Sequence, residues 1–79
     1  IVLARGASVR VGPSGGLQVF AVEGGSPAAA AGLVAGDVIR SVNGRSVSDL
    51  SALARALDGT GERRLSVERG GDTERVTLP

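Results

Sequence analysis

Between residues 24 and 44 the chain reads GGSPAAAAGLVAGDVIRSVNG, and local chemistry gives that string a shape. Ser26 is placed to cap a helix, and Pro27 suits its first turn because its φ is already fixed near the helical value. Four alanines, Ala28 to Ala31, follow before Gly32 ends the run, so this helix is very short. Gly36 then allows a tight turn. Val38 to Val42 is rich in β-branched residues, and Asn43-Gly44 is a strong hairpin-turn signal. One turn of helix, a reversal and a strand are thus specified before any tertiary contact is considered.

The flanks extend the pattern. Residues 1–11 read as strand, with Ala7, Val9 and Val11 alternating against Ser8 and Arg10. The cluster Gly12-Pro13-Ser14-Gly15-Gly16 is a turn. Leu17 to Val22 is apolar at five of six positions, the expectation for a strand covered on both faces. Val38, Ile39 and Val42 break the period of two, which predicts a bulge or a strand end. Ser48 is placed to cap a longer helix, about Asp49 to Leu57, with Asp49 near the positive end of its dipole. Leu50, Leu53, Ala54 and Leu57 repeat at i, i+3, i+4 and i+7 on one face, and Gly59 and Gly61 close the helix. Arg63–Arg69 and Thr73–Leu78 alternate around Gly70-Gly71-Asp72, with Leu65, Val67, Val76 and Leu78 facing one way, and predict a hairpin. The order β-β-α-β-α-β-β argues an α+β fold, a small antiparallel barrel or sandwich with two helices sealing its openings.

At 79 residues the chain has room for one domain, 1–79, and buries only about 60% of its unfolded surface, so modest stability is expected. Phe20 is the sole aromatic, and the core must be aliphatic. The nine basic residues are all arginine, are scattered, and leave a net charge of +1. That balance gives no electrostatic case for nucleic acid or a membrane surface, and no aromatic platform exists for stacking bases. No apolar run approaches a membrane span, so direct insertion by this segment is not expected. The sequence holds no signal peptide, and its abrupt ends read as a domain cut from a longer protein.

Catalysis fails on inventory. Without His or Cys, the Ser–His and Cys–His nucleophile pairs and most zinc sites are absent. Glu23, Asp58, Glu62, Glu68, Asp72 and Glu74 sit in turns or exposed strand positions and read as solvated charge. Asp37 reads as a residue that takes up turn amides ahead of the strand, rather than as a metal ligand. The loop at residues 12–16 lacks the lysine and the helix of a phosphate loop. No catalytic residue, metal or cofactor is expected.

The string G-S-P-A-x-x-A-G-L-x-x-G-D-x-I-x-x-V-N-G, together with the order of elements around it, resembles the PDZ domain family, especially the bacterial type attached to envelope proteases. The resemblance covers nearly all of the chain. It implies a partly open five- to six-stranded antiparallel β-barrel capped by one short and one longer helix. It also implies a peptide-binding module, in which an extended or C-terminal peptide adds as a strand beside an open edge and a helix. The family holds the terminal carboxylate on backbone amides of a loop X-Φ-G-Φ, which falls here on Ala4-Arg5-Gly6-Ala7. Gly6 matches the family's glycine and permits close approach to an anion. Ala7 matches the last position weakly. Arg5 departs from the family's apolar residue. Its stem covers apolar surface, or its charge meets the carboxylate, or the groove does not hold free C-termini in the usual way.

By the same resemblance Ala7, Ser8, Val9, Arg10 and Val11 form the docking strand, and Leu50, Ala54 and Leu57 face the groove. Leu50 stands where many eukaryotic members carry a His, implying an apolar ligand preference. Ala54 leaves room for a ligand side chain, and Leu57 walls the terminal pocket. Leu53 reads as plain core, and for Leu50 and Leu57 groove wall and core overlap. The implied parent is a protease: of HtrA type, a C-terminal processing protease, a site-2 protease, or a peptidase carrying such a domain. The module would then capture substrates for, or gate, the neighbouring domain in the cell envelope, periplasm or outside the cell. The alternative is a structural or docking domain in a secretion or protease assembly with no free-peptide ligand, a reading that Arg5 and the small Ala7 favour.

Overall fold

The computed structural model describes residues 6–13, 15–58 and 61–78. Its elements run β1 (Ala7–Val11), β2 (Leu17–Val22), α1 (Pro27–Ala30), β3 (Val38–Val42), β4 (Arg45–Ser46), α2 (Leu50–Ala56), β5 (Arg63–Arg69) and β6 (Asp72–Leu78). All strand pairs are antiparallel, in the order β1-β2-β3-β5-β6 with β4 folded back on β3. The expected α+β architecture with two helices is present, with six strands where five to six were expected, the short β4 being the addition. The sheet does not close, since no pairing between β1 and β6 is found among the described residues.

Local signals act where the sequence placed them. Ser26 Oγ accepts the Ala29 amide at 3.2 Å and caps α1. At the other end Gly32 takes φ +96°, and its amide donates to Ala29 O while that of Leu33 donates to Ala28 O. These paired bonds satisfy the last carbonyls of a helix only one turn long. Asn43 and Gly44 both have positive φ, the geometry of a type I′ turn, and Asn43 Oδ1 accepts the Arg64 amide at 2.8 Å.

Two expectations are corrected. The cap of α2 is Asp49, whose Oδ1 accepts the Ala52 amide at 2.7 Å, and Ser48 lies outside the helix. A carboxylate beside the helix dipole is the stronger acceptor. Asp49→Ala is therefore expected to cost about 1 kcal/mol, and Ser48→Ala close to nothing, in urea unfolding midpoints. The reverse order would return the cap to Ser48. Strand β2 is not covered on both faces: Leu17 and Val19 are buried, but Phe20 is 46% exposed and Ala21 is exposed. The sheet presents one face to the core and the other to water, so five apolar residues out of six overstated the cover.

β2 pairs with β3 only at Leu17↔Ile39 and Gln18↔Val38. Beyond that point Val19 turns to the preceding loop, donating to Asp37 O and accepting from Gly36 N. The predicted irregularity in β3 appears as a register shift between Ile39 and Ser41. The core is aliphatic throughout, joining Ala7, Val9, Leu17, Val19, Ile39, Leu53, Leu65, Val67 and Leu78.

Asp37 is fully buried and does more than hold the Val34 amide. Arg69, at the end of β5, forks onto both of its carboxylate oxygens at 2.7 and 2.8 Å and also donates to Gly32 O. Burial pushes the Asp37 carboxyl up. The Arg69 hydrogen bonds, the Val34 amide and the Arg69 charge outweigh it and leave it below the ordinary aspartate value. The position read as a turn acceptor is thus also half of a clasp across 32 residues of sequence. Arg63 serves α2 in a similar way, donating to Ala56 O and Asp58 O beyond the last turn.

Candidate binding groove

β1 ends the strand order and has β2 as its strand neighbour, and α2 packs against it. An end strand beside a helix is the kind of arrangement to which an extended chain can add as a further strand. Pleating divides β1 between two roles. Ala7 and Val9 point into the core and are fully buried, whereas Ser8 is half-buried and Arg10 and Val11 are exposed. The side chains of Ala7 and Val9 are thus committed to the fold, and what this strand offers a ligand is backbone, together with Ser8, Arg10 and Val11. A register shift between Ser8 and Val9, opposite Phe20, re-aims the strand at mid-length.

On α2 the helical period sorts the apolar positions. Leu53 is buried, as expected of plain core; Leu50 is half-buried against that core; Ala54 is exposed; Leu57, the C-cap residue, is 5% exposed. Leu50 and Ala54 thus lie at the surface of the helix, and Leu57 lies deeper.

Gly6 stands just before β1 with φ +91°, a conformation that a side chain disfavours. Its carbonyl accepts the Glu23 amide at 2.8 Å. A Cβ at this position would lie 2.3 Å from Ser26 Cβ and 2.6 Å from Ser26 Oγ, so the backbone is seated directly on the cap of α1. The expectation for Arg5 lies outside the described residues.

Among the described groove residues Gly6, β1, Leu50, Ala54 and Leu57, Arg10 is the one charged side chain. Its guanidinium sits 5.2 Å from the centre of the Phe20 ring. Such a cation–π contact steadies a long side chain that would otherwise be free in water. Phe20 was not among the expected site residues; its approach to Arg10 depends on the β1–β2 register, and no local pattern announces that. Among the described residues no three acidic side chains converge where a metal ion would sit. No helix is long and apolar enough to cross a membrane among the same residues.

A family model described as PDZ domain matches residues 18–69. Among solved structures, the chain is similar to the HtrA3 PDZ domain bound to a phage-derived ligand (FGRWV). The TM-score is 0.84 at 32% identity, over 92% of this chain and 79% of that one. It is also similar to the HtrA-type protease AlgW with a decapeptide (TM-score 0.80, 25% identity, 94% of this chain) and with a tripeptide (TM-score 0.79, 25% identity, 92% of this chain). The chain spans 27% and 29% of the length of those two protease chains. No curated protein matches it.

Proposed function

Because this chain belongs to the PDZ domain family, we propose that it is a peptide-binding module that takes apolar C-terminal or extended peptides as an added strand between β1 and α2. The observation that carries this is the position of β1: the last strand of an open sheet, with α2 alongside and a left-handed glycine at its start. An added strand gains affinity from main-chain hydrogen bonds, and alternate side chains give selectivity. Gly6 keeps the left-handed backbone conformation and the close seat on Ser26 that a side chain would disturb, and backbone amides of such a loop suit a terminal carboxylate. Leu50 and Ala54 favour apolar ligand side chains, with Leu57 at the base of the terminal pocket. The solved relatives support the reading, since each is described with a peptide ligand.

On this reading residues 1–79 are one non-catalytic domain of a longer protease chain, capturing substrates for it or gating it. The short share of AlgW that the chain spans fits that arrangement. The HtrA-type relatives support a place in the cell envelope, periplasmic or secreted, and a bacterial source is what the sequence resemblance implies. Affinity in the micromolar range, about −8 kcal/mol, suits transient capture.

NMR titration with short apolar peptides, each with a free and an amidated C-terminus, tests the proposal. Shifts are expected at Gly6–Val11 and Leu50–Leu57, with binding weakened at least about tenfold on amidation, the loss of one charge-assisted hydrogen bond. Equal binding of both forms would leave strand addition and remove the carboxylate site. No shift at millimolar peptide would end the peptide-binding reading for this domain.

A further inference from the structure

A second concavity, of about 520 Å3, lies away from β1 and α2 and is lined by Asn43, Gly44, Arg64, Leu65, Ser66 and Arg75. Its shape follows from register. Ser46 pairs with Ser41, Ser41 with Ser66, and Ser66 with Arg75, so a row of three serines crosses the outer face of the sheet and ends on an arginine. Small side chains leave the row low, and the Asn43-Gly44 turn stands at its margin. Arg64 pairs with Thr77, two residues along from Arg75, which makes the two arginines diagonal neighbours. Such positions lie about 7–8 Å apart.

Several arginines of the sheet have partners of their own, whereas Arg45, next to the Asn43-Gly44 turn, is exposed like Arg64 and Arg75. Arg40 forks onto Glu68, Arg69 is clasped to Asp37, and Arg10 rests on Phe20. Arg64 touches Glu62 at 3.7 Å with both side chains well exposed, a contact of little energetic weight. Arg75 has no ion-pair partner among the described residues. No carboxylate lines the concavity. Two like charges at neighbouring positions on one face repel, and a ligand of opposite charge would relieve that repulsion.

We propose that this concavity is a second docking site, for an extended acidic protein segment with carboxylates at alternate positions. Alternate residues of an extended chain are about 6.6 Å apart, close to the spacing of the two arginines. Each guanidinium can then take one carboxylate in a two-pronged contact. Ser66 supplies a hydroxyl between them. The volume exceeds what one small anion fills and suits several side chains of a strand. The site is independent of the β1–α2 groove, and its test can fail without touching that reading.

The test is an NMR titration of the 79-residue chain with an alternating Glu-Ser peptide, an alternating Gln-Ser peptide, and inorganic phosphate. Saturable shifts are expected at Asn43, Gly44, Ser66 and Arg75 with the Glu peptide alone, leaving Ser8 and Leu50 unmoved. Arg75→Gln and Arg64→Gln, both at exposed positions, should each weaken that binding about tenfold, with fold and unfolding midpoint unchanged. Three results would overturn the proposal. Equal saturation by phosphate and the Glu peptide would identify a small-anion site instead. Shifts spread over Arg10 and Arg55 and insensitive to Arg75→Gln would mean unspecific charge attraction. Silence with every probe would mean no site.

Discussion

Asp37→Ala lowers the stability of the domain by about 3 kcal/mol, the scale expected when a buried, fully hydrogen-bonded charge is removed and its partners are left behind. The Val34 amide loses its acceptor, the turn before β3 loses its tie to β5, and Arg69 loses both prongs of its contact. For a domain of this size each kcal/mol moves the melting temperature by about 4–8 °C, so a fall on the order of 15 °C is expected in thermal unfolding. Asp37→Asn keeps shape and one acceptor oxygen and falls between. A loss under about 1 kcal/mol for the alanine variant would show that water replaces the carboxylate at no cost, and would refute the clasp.

The same carboxylate sets an acid limit. Although burial works against the charged form, Arg69 and the Val34 amide hold its folded value below 3.8. As pH falls the unfolded chain takes the proton first. The stabilisation is therefore complete above the ordinary aspartate value and is lost as pH drops through the lower folded one. Between pH 6 and pH 2 the wild-type domain should lose stability more steeply than Asp37→Asn. Parallel curves would place the acid sensitivity elsewhere.

Gly6→Ala carries the second large effect, about 2–4 kcal/mol, and acts on both stability and binding. Two costs add: the left-handed backbone is strained for any residue with a Cβ, and that Cβ overlaps the Ser26 side chain. Relief requires Ser26 to move, which loosens the α1 cap. Gly15→Ala separates the two costs, because Gly15 has φ +86° with nothing within 4 Å of an added Cβ. It should show the backbone cost alone, about 1 kcal/mol. Peptide affinity should fall at least about tenfold in Gly6→Ala and stay unchanged in Gly15→Ala. If both variants bind equally well, the loop at Gly6 is no part of the site.

What could be read in advance was what short stretches decide for themselves. Ser26, Gly32 and Asn43-Gly44 act through bonds to residues a few positions away or through their own φ, and each stands where the string placed it. The spacing of Leu50, Leu53 and Leu57 likewise set out one helix face, and the structure grades that face from surface to core. Contacts closed by the fold were not legible. Nothing near Asp37 points to Arg69, and nothing near Ala56 points to Arg63. The two-residue β4 is too short to show a period. Ser48 was expected as the cap with Asp49 inside the helix, but Asp49 has an extended backbone and itself takes the Ala52 amide, so the helix starts one residue later. For the groove, alternation in β1 was visible, but that β1 ends the sheet is a property of strand order, which came only through the family resemblance.

The aliphatic core also has an optical consequence. The chain contains no tryptophan and no tyrosine, and Phe20 lies at the surface, so folding buries no strong chromophore. The domain is close to dark in tryptophan emission, folded or unfolded. A single tryptophan carried by a peptide would then be the only bright emitter in the sample, and its blue shift on leaving water would report occupancy of the groove without background from the protein.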